Sequence, residues 1–328
     1  MKFLRIFLLL CVILLCLSCT QTNITRSEFV LGTNCTISLL ENGNSRVVKD
    51  VFARLREIDN LMSVNLPASD ISRINAAAGT EAVKVNKDVF KLIEKSLYFP
   101  EISGGSFDLT IGPIINLWGF NNKPRIPLQE EIDIILPLVN RSKLFINSDS
   151  LTVFLKKEGM AIDLGAIAKG YAADEAAEII INAGVKRAII DLGGNIIVVG
   201  ENKNNRPWRV GIQDPNRERG NYIGIVQIPA EGLYTSIVTS GVYERYFIEN
   251  GKRYHHIFSP FTGYPIDNEL LSVTIISPNS MYADALSTAV FVLGYEKGLE
   301  LINSIPETGA VFVFNDGSVR FTDGVIFN

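Results

Sequence analysis

From position 47 to 62, apolar residues recur at 47, 48, 51, 52, 55, 58, 61 and 62, a stripe of helical period. Before it, residues 29–40 alternate as a strand broken by Leu31-Gly32-Thr33, and residues 20–27 read as a polar tether. Helical spacing returns at 86–102, disturbed by Pro100, and at 127–139, where a proline near the start is tolerated because its missing N–H has no helical partner. Shorter strand-like segments lie at 144–146 and 151–155. Farther on, β-rich segments dominate, at 187–192, 196–199, 208–213 and 223–228. The pairs 243–248 with 253–258 and 311–314 with 319–321 flank Asn250-Gly251 and Asp316-Gly317, both dipeptides of tight hairpin turns. Two helices intervene, at 166–182 and 282–293, and Gly184 and Gly294 stand where helices stop. Hairpins mixed with long helices predict an α+β fold, not a doubly wound parallel sheet. A helix-then-hairpin order occurs in each half, too faint to define a repeat.

The first residues follow different rules. Lys2 and Arg5 precede an unbroken apolar run at 6–17, short for a bilayer span and suited to the core of a signal peptide. Ser18 then precedes Cys19, and the chain turns polar at Thr20. This resembles a bacterial lipobox, in which the cysteine is acylated and becomes the mature N-terminus, although Cys16 holds a position where leucine is usual. The expected organisation is a signal peptide over 1–18, a lipidated tether over 19–27 beginning at Cys19, and one domain over 28–328. Location follows: anchored by lipid to the periplasmic face of a bacterial inner membrane. Simple secretion or a short anchor is the alternative.

The chain has 328 residues, is 47% hydrophobic and carries a net charge of −4, so nothing basic points to nucleic acid. Of four cysteines, Cys11 and Cys16 leave with the signal and Cys19 is acylated, so only Cys35 remains, a buried free thiol by its alternating surroundings. The two histidines, His255 and His256, are adjacent. A histidine-rich metal site is therefore excluded, and oxygen ligands must hold any metal.

Four constellations carry chemistry. Asp163-Leu164-Gly165-Ala166-Ile167-Ala168-Lys169-Gly170 joins a short strand to a helix start, where free N–H groups and the positive dipole end suit an anion and Lys169 adds a charge. A plain cap by Asp163 with a surface lysine fits equally. Asp284 and Thr288 are four apart and share a helix face, where a carboxylate and a hydroxyl suit Mg²⁺, or where both are ordinary helix residues. Gly104-Gly105-Ser106-Phe107-Asp108 followed by Leu117-Trp118-Gly119-Phe120 lets backbone approach a ligand, with Phe107 and Trp118 near a flat ring or in the core. Thr239-Ser240-Gly241-Val242-Tyr243-Glu244-Arg245 and His255-His256 face each other across a hairpin, where a histidine is either a general base or a satisfied structural residue.

These segments, with Val30-Leu31-Gly32-Thr33, Asp191-Leu192-Gly193-Gly194-Asn195 and residues 256–265, occur in an order and spacing that resemble the ApbE family of FAD:protein FMN transferases. The resemblance covers nearly the whole mature chain. It implies two related lobes of antiparallel sheet with packed helices and FAD bound between them. It further implies FAD contacts from Leu31, Asn65, Ser106, Phe107, Asp108, Asp163, Lys169 and Ile257, and Mg²⁺ held by the Ala166 carbonyl, Asp284 and Thr288. His256 is the general-base candidate by motif, although a carboxylate could serve, and Asp284 is essential through the metal. In the family, FMN passes as a phosphoester to a threonine of flavin-carrying redox subunits and AMP leaves. The target motif resembles Asp-Gly-x-Ser/Thr-Gly-Ala-Ser/Thr, and this chain holds no copy.

Asn65 stands where the family often has tyrosine, a change that removes stacking area. Treponemal members resemble this chain there and hydrolyse FAD to FMN and AMP, so FAD diphosphatase activity is expected alongside transfer. A non-catalytic lipoprotein that stores FAD is the competing class. The pairing of Asp284 with Thr288 favours the enzyme.

Overall fold

The computed structural model describes residues 23–328 apart from 121, 230 and 231. The signal segment at 1–18 and Cys19 lie outside the described residues. Eight strands form one sheet whose spatial order follows the chain: β1 (Ile24–Val30), β2 (Thr33–Glu41), β3 (Arg187–Leu192), β4 (Asn195–Val199), β5 (Tyr234–Gly241), β6 (Leu270–Ser277), β7 (Gly309–Phe314) and β8 (Val319–Phe321). Every neighbouring pair is antiparallel. The other described elements are insertions between successive strands, except the short strand Ile326–Phe327, which follows β8.

Three long helices cover one face: α1 (Ser45–Met62), α2 (Ala168–Asn182) and α3 (Ser280–Leu293). The stripe read from the sequence of α1 is the face it buries, through Val48, Val51, Phe52, Leu55 and Ile58. It packs with Ile37, Leu39, Ile190, Ile197, Val238 and Val273 of the sheet. The opposite face is covered by a three-stranded sheet (Trp208–Gln213, Tyr222–Ile228, Ile326–Phe327) that buries Trp208, Val210, Ile212 and Val226 against Ile237, Val311 and Val313. A third, small core gathers Ile114, Trp118, Ile132 and Phe258. Helices and antiparallel sheets in one chain make this an α+β fold, as the pattern predicted.

Several boundaries differ from the sequence pattern. Residues 24–27 are not tether but the start of β1, with Ile24 opposite Leu39. Their polar character reflects an edge strand whose side chains are largely exposed. The stretch at 86–102 divides into Lys87–Ser96 and Phe99–Ile102, with Pro100 in the first turn of the second helix. The stretch at 127–139 is helical over Gln129–Ile135 and tightens to a 3₁₀ turn at Leu136–Leu138. The hairpin around Asn250-Gly251 is shorter than the pattern, Tyr246–Glu249 with Lys252–His255. The central strands β5 and β6 lie outside every segment the alternation picked out.

Candidate active site

The loop leading into α2 is fixed from two sides. Asn75, on the short helix Asp70–Ala76, donates from Nδ2 to the Ile162 carbonyl at 2.9 Å and accepts the Ile162 N–H on Oδ1 at 2.7 Å. The Asp163 N–H donates to the Leu109 carbonyl at 2.9 Å, which joins the Ser106–Asp108 loop to the same place. Asp163 does not cap α2. Its Oδ1 accepts the Gly165 N–H at 2.7 Å, a turn local to the loop, and the N-cap of α2 is Ile167, which has no side-chain acceptor to offer. Burial raises the Asp163 pKa, opposed by the Gly165 hydrogen bond and by Arg245 and Lys169.

Helices α2 and α3 cross at Gly170. A Cβ there would lie 2.3 Å from the Ser280 carbonyl oxygen and 2.7 Å from the Asp284 Cβ, so only glycine allows the approach. Two clamps fix the register. The Gly170 N–H donates to Asp284 Oδ2 at 2.8 Å. Four residues on, Asp174 accepts the Ser280 and Met281 N–H groups at 2.8 and 2.9 Å and the Tyr234 hydroxyl at 2.9 Å. Asn279 accepts the Tyr282 N–H on its side chain and the Ala283 N–H on its carbonyl, so the first turn of α3 is satisfied entirely by protein.

Asp284 is therefore presented one turn into α3, at 3% exposure. Its Oδ1 has Lys169 Nζ at 3.9 Å, and Lys169 also reaches the Gly165 carbonyl at 3.3 Å. Burial raises the Asp284 pKa, and Lys169 and the Gly170 hydrogen bond oppose that shift. One turn farther, the Thr288 hydroxyl lies 3.1 Å from Ser240 Oγ on β5. Among the described residues no three His, Cys, Asp or Glu gather as a metal cluster. A buried carboxylate with one weakly engaged oxygen, next to a half-buried hydroxyl, is nevertheless an oxygen donor set suited to a hard divalent cation completed by water and phosphate.

His256 stands at the base of the short hairpin. Its Nδ1 is 3.1 Å from the Arg245 carbonyl. A carbonyl only accepts, so Nδ1 carries the proton and Nε2 keeps its lone pair. Burial first, then Arg245 and His255, lower its pKa to about 3, so the ring is neutral at physiological pH. His255 instead donates from Nε2 to the Ile266 carbonyl at 2.8 Å and accepts the Ile257 N–H on Nδ1 at 3.2 Å, both nitrogens spent on structure. Arg245 donates to the Phe120 carbonyl at 2.9 Å.

The remaining residues divide. Ser106 is buried in the loop tied to Asp163, and Asp108 accepts the Thr110 N–H and hydroxyl at 2.8 and 2.7 Å. Phe107 and Trp118 do not present rings to a ligand in this structure: they are 3% and 0% exposed. Phe107 packs on Phe99, and Trp118 donates to the Gly263 carbonyl within the third core. Ile257 is buried beside His256, with its N–H given to His255 and its carbonyl accepting the Ile266 N–H at 2.9 Å. Leu31 sits at φ +57° in the β1–β2 turn, with its N–H donating to Asp59 at 3.2 Å. Asn65 is exposed in the loop after α1. The clamping roles of Asn75 and Asp174 escaped the sequence because their partners are 87 and 106 residues away.

A buried carboxylate and a lysine thus meet where two helices of an α+β fold cross, at a helix start without a side-chain cap. The ApbE family model matches residues 31–312, and the chain belongs to that family. The FAD:protein FMN transferase of Treponema pallidum (strain Nichols) is 35% identical over 92% of this chain and 87% of its own length. That of Klebsiella pneumoniae (strain 342) is 36% identical over 88% of each. The ApbE protein of Thermotoga maritima superposes with a TM-score of 0.84 at 30% identity, covering 92% of this chain and 97% of that one. The flavin transferase ApbE of Vibrio cholerae gives 0.80 at 27% identity, over 92% and 96%.

Proposed function

We propose that this chain is a Mg²⁺-dependent FAD:protein FMN transferase. The observation that carries the reading is the buried Asp284 carboxylate set against Lys169 and the Gly170 N–H at the crossing of α2 and α3. FAD is the substrate, with Asp163, Lys169 and the Ser106–Asp108 loop at its binding site. Mg²⁺, held by the Ala166 carbonyl, Asp284 and Thr288, would neutralise charge on the pyrophosphate. Lys169 supports the phosphate oxygens from the helix start. The His256 Nε2 lone pair takes the proton of an acceptor threonine hydroxyl. The threonine oxygen bonds to the FMN phosphorus, the pyrophosphate bridge breaks, and AMP leaves with the bridging oxygen. Cys19 lipidation would hold the enzyme at the periplasmic face of the inner membrane, where flavin-carrying redox subunits present the target motif.

The test is to incubate the protein with FAD, Mg²⁺ and an acceptor carrying the motif, then measure covalent flavin fluorescence and AMP. FAD binding without AMP or covalent flavin would leave a storage lipoprotein instead.

Water competes with threonine in this proposal because Asn65 leaves the FAD site more open than tyrosine would. Asn65→Tyr adds stacking of about 0.5–1.5 kcal/mol, which raises FAD affinity by up to roughly tenfold. Acceptor-free AMP release falls in parallel. Equal release and affinity in the two proteins would reduce Asn65 to a surface difference.

A further inference from the structure

Three hydroxyls meet where β5 passes under α3. Ser287 Oγ donates to the Asp284 carbonyl at 2.8 Å, a bond with only one possible polarity. Ser240 Oγ lies 2.8 Å from Ser287 Oγ and 3.1 Å from Thr288 Oγ1. Each hydroxyl has one proton. Ser287 has spent its own on the carbonyl, so Ser240 donates to Ser287. Ser240 then has none left for Thr288, so Thr288 donates to Ser240. The relay runs from Thr288 through Ser240 and Ser287 to a backbone carbonyl, and its direction is fixed by that end.

The consequence reaches the candidate site. Thr288 points its proton at the sheet and keeps its lone pairs for whatever approaches from the open side. A hydroxyl fixed as an acceptor suits a cation, whereas a freely rotating one spends part of its time presenting a proton. We infer that Ser240 is a positioning residue that fixes the Thr288 hydroxyl as a divalent-cation ligand, with Ser287 holding the relay in one direction. This rests on the proposed role of Thr288 in metal binding and adds the residues that prepare it.

Mg²⁺ affinity of the FAD-free full-length protein, read from the rise of melting temperature with Mg²⁺ concentration, tests the inference independently of turnover. Partners that orient a metal ligand typically change affinity about 10–100-fold when removed, and Ser240→Ala is expected near the lower end, about tenfold weaker. Ser240→Thr keeps a hydroxyl and retains wild-type affinity. Ser287→Ala removes the end of the relay, so Ser240 can turn either way, and affinity falls by a smaller factor. It also reads the same polarity if Ser240→Ala does not fold. Thr288→Val removes the ligand and sets the maximum loss. Wild-type affinity in Ser240→Ala and Ser287→Ala, with loss in Thr288→Val, would overturn the positioning role alone. Wild-type affinity in Thr288→Val would overturn the metal assignment and this inference with it.

Discussion

The two crossing helices satisfy their first turns by different means. In α3 the first turn is closed: Asp174 takes the N–H groups of Ser280 and Met281, and Asn279 takes those of Tyr282 and Ala283. In α2 the N-cap is Ile167, without a side-chain acceptor; the Ala168 N–H goes back to the Leu164 carbonyl, the Gly170 N–H goes across to Asp284, and the half-buried Lys169 stands between them. The positive end of a helix dipole with a lysine beside it favours an anion. The start of α3 makes a rigid mount for Asp284 and Thr288, and that of α2 brings Lys169 to the substrate in the proposed reaction.

The largest expected effect concerns the residue shared by both helices. Asp284→Asn is predicted to lower Mg²⁺-dependent FAD cleavage by about two to three orders of magnitude, since metal charge stabilisation is worth several kcal/mol. The same change removes a buried charge, so the metal-free variant should melt higher than wild type, while its melting temperature no longer responds to Mg²⁺. A variant that cleaves FAD within a few-fold of wild type would remove Asp284 from the site.

The next pair separates the two starts. Asp174→Ala strips caps from α3 and is predicted to cost about 1–3 kcal/mol of stability, seen in chemical denaturation. Lys169→Ala leaves stability nearly unchanged and weakens FAD binding about tenfold, the scale of a partly exposed charged hydrogen bond. If Lys169→Ala destabilised the fold and Asp174→Ala weakened FAD at full stability, the contrast drawn between the helices would be reversed.

The smallest effect is a pH dependence. His256 is neutral in the fold, with its pKa lowered to about 3, and the unfolded chain titrates near 6.5. As pH falls below about 6.5 the unfolded chain takes up a proton that the folded chain refuses until near 3, so acid favours unfolding. Replacement by asparagine removes that contribution. The melting temperature of His256→Asn relative to wild type should therefore rise steadily from pH 7 to pH 4, while the carboxylates, common to both proteins, cancel. A constant difference would mean that His256 titrates normally.

Periodicity made α1 legible, since one face of that helix is buried and the other wet. The hairpin at Asn250-Gly251 was legible from turn chemistry, both residues having positive φ. β5 and β6 were not, because they run between covered faces and mix Ser and Thr with apolar residues, leaving no alternation to read. Phe107 and Trp118 stayed open between two readings for a related reason: an aromatic in a glycine-rich segment looks the same whether it stacks on a ligand or fills a core. Asp284 and Thr288 were visible as a helical pair, but the hydroxyl relay behind Thr288 crosses 48 residues and leaves no local trace.

Cys35 gives the seam between β2 and β3 a reporter of its own. These strands are adjacent in the sheet, with Cys35 opposite Leu192, although the chain between them is the longest insertion in the fold. The thiol is buried, donates to the Val30 carbonyl at 3.4 Å, and has its pKa pushed up to about 12 by burial and by Asp191 and Asp59. Thiolate is the reactive form, so the native seam is nearly silent to alkylating reagents. The rate at which Cys35 becomes labelled therefore measures how often the amino-terminal hairpin separates from the rest of the sheet, an opening frequency written into the sequence by one sulfur atom.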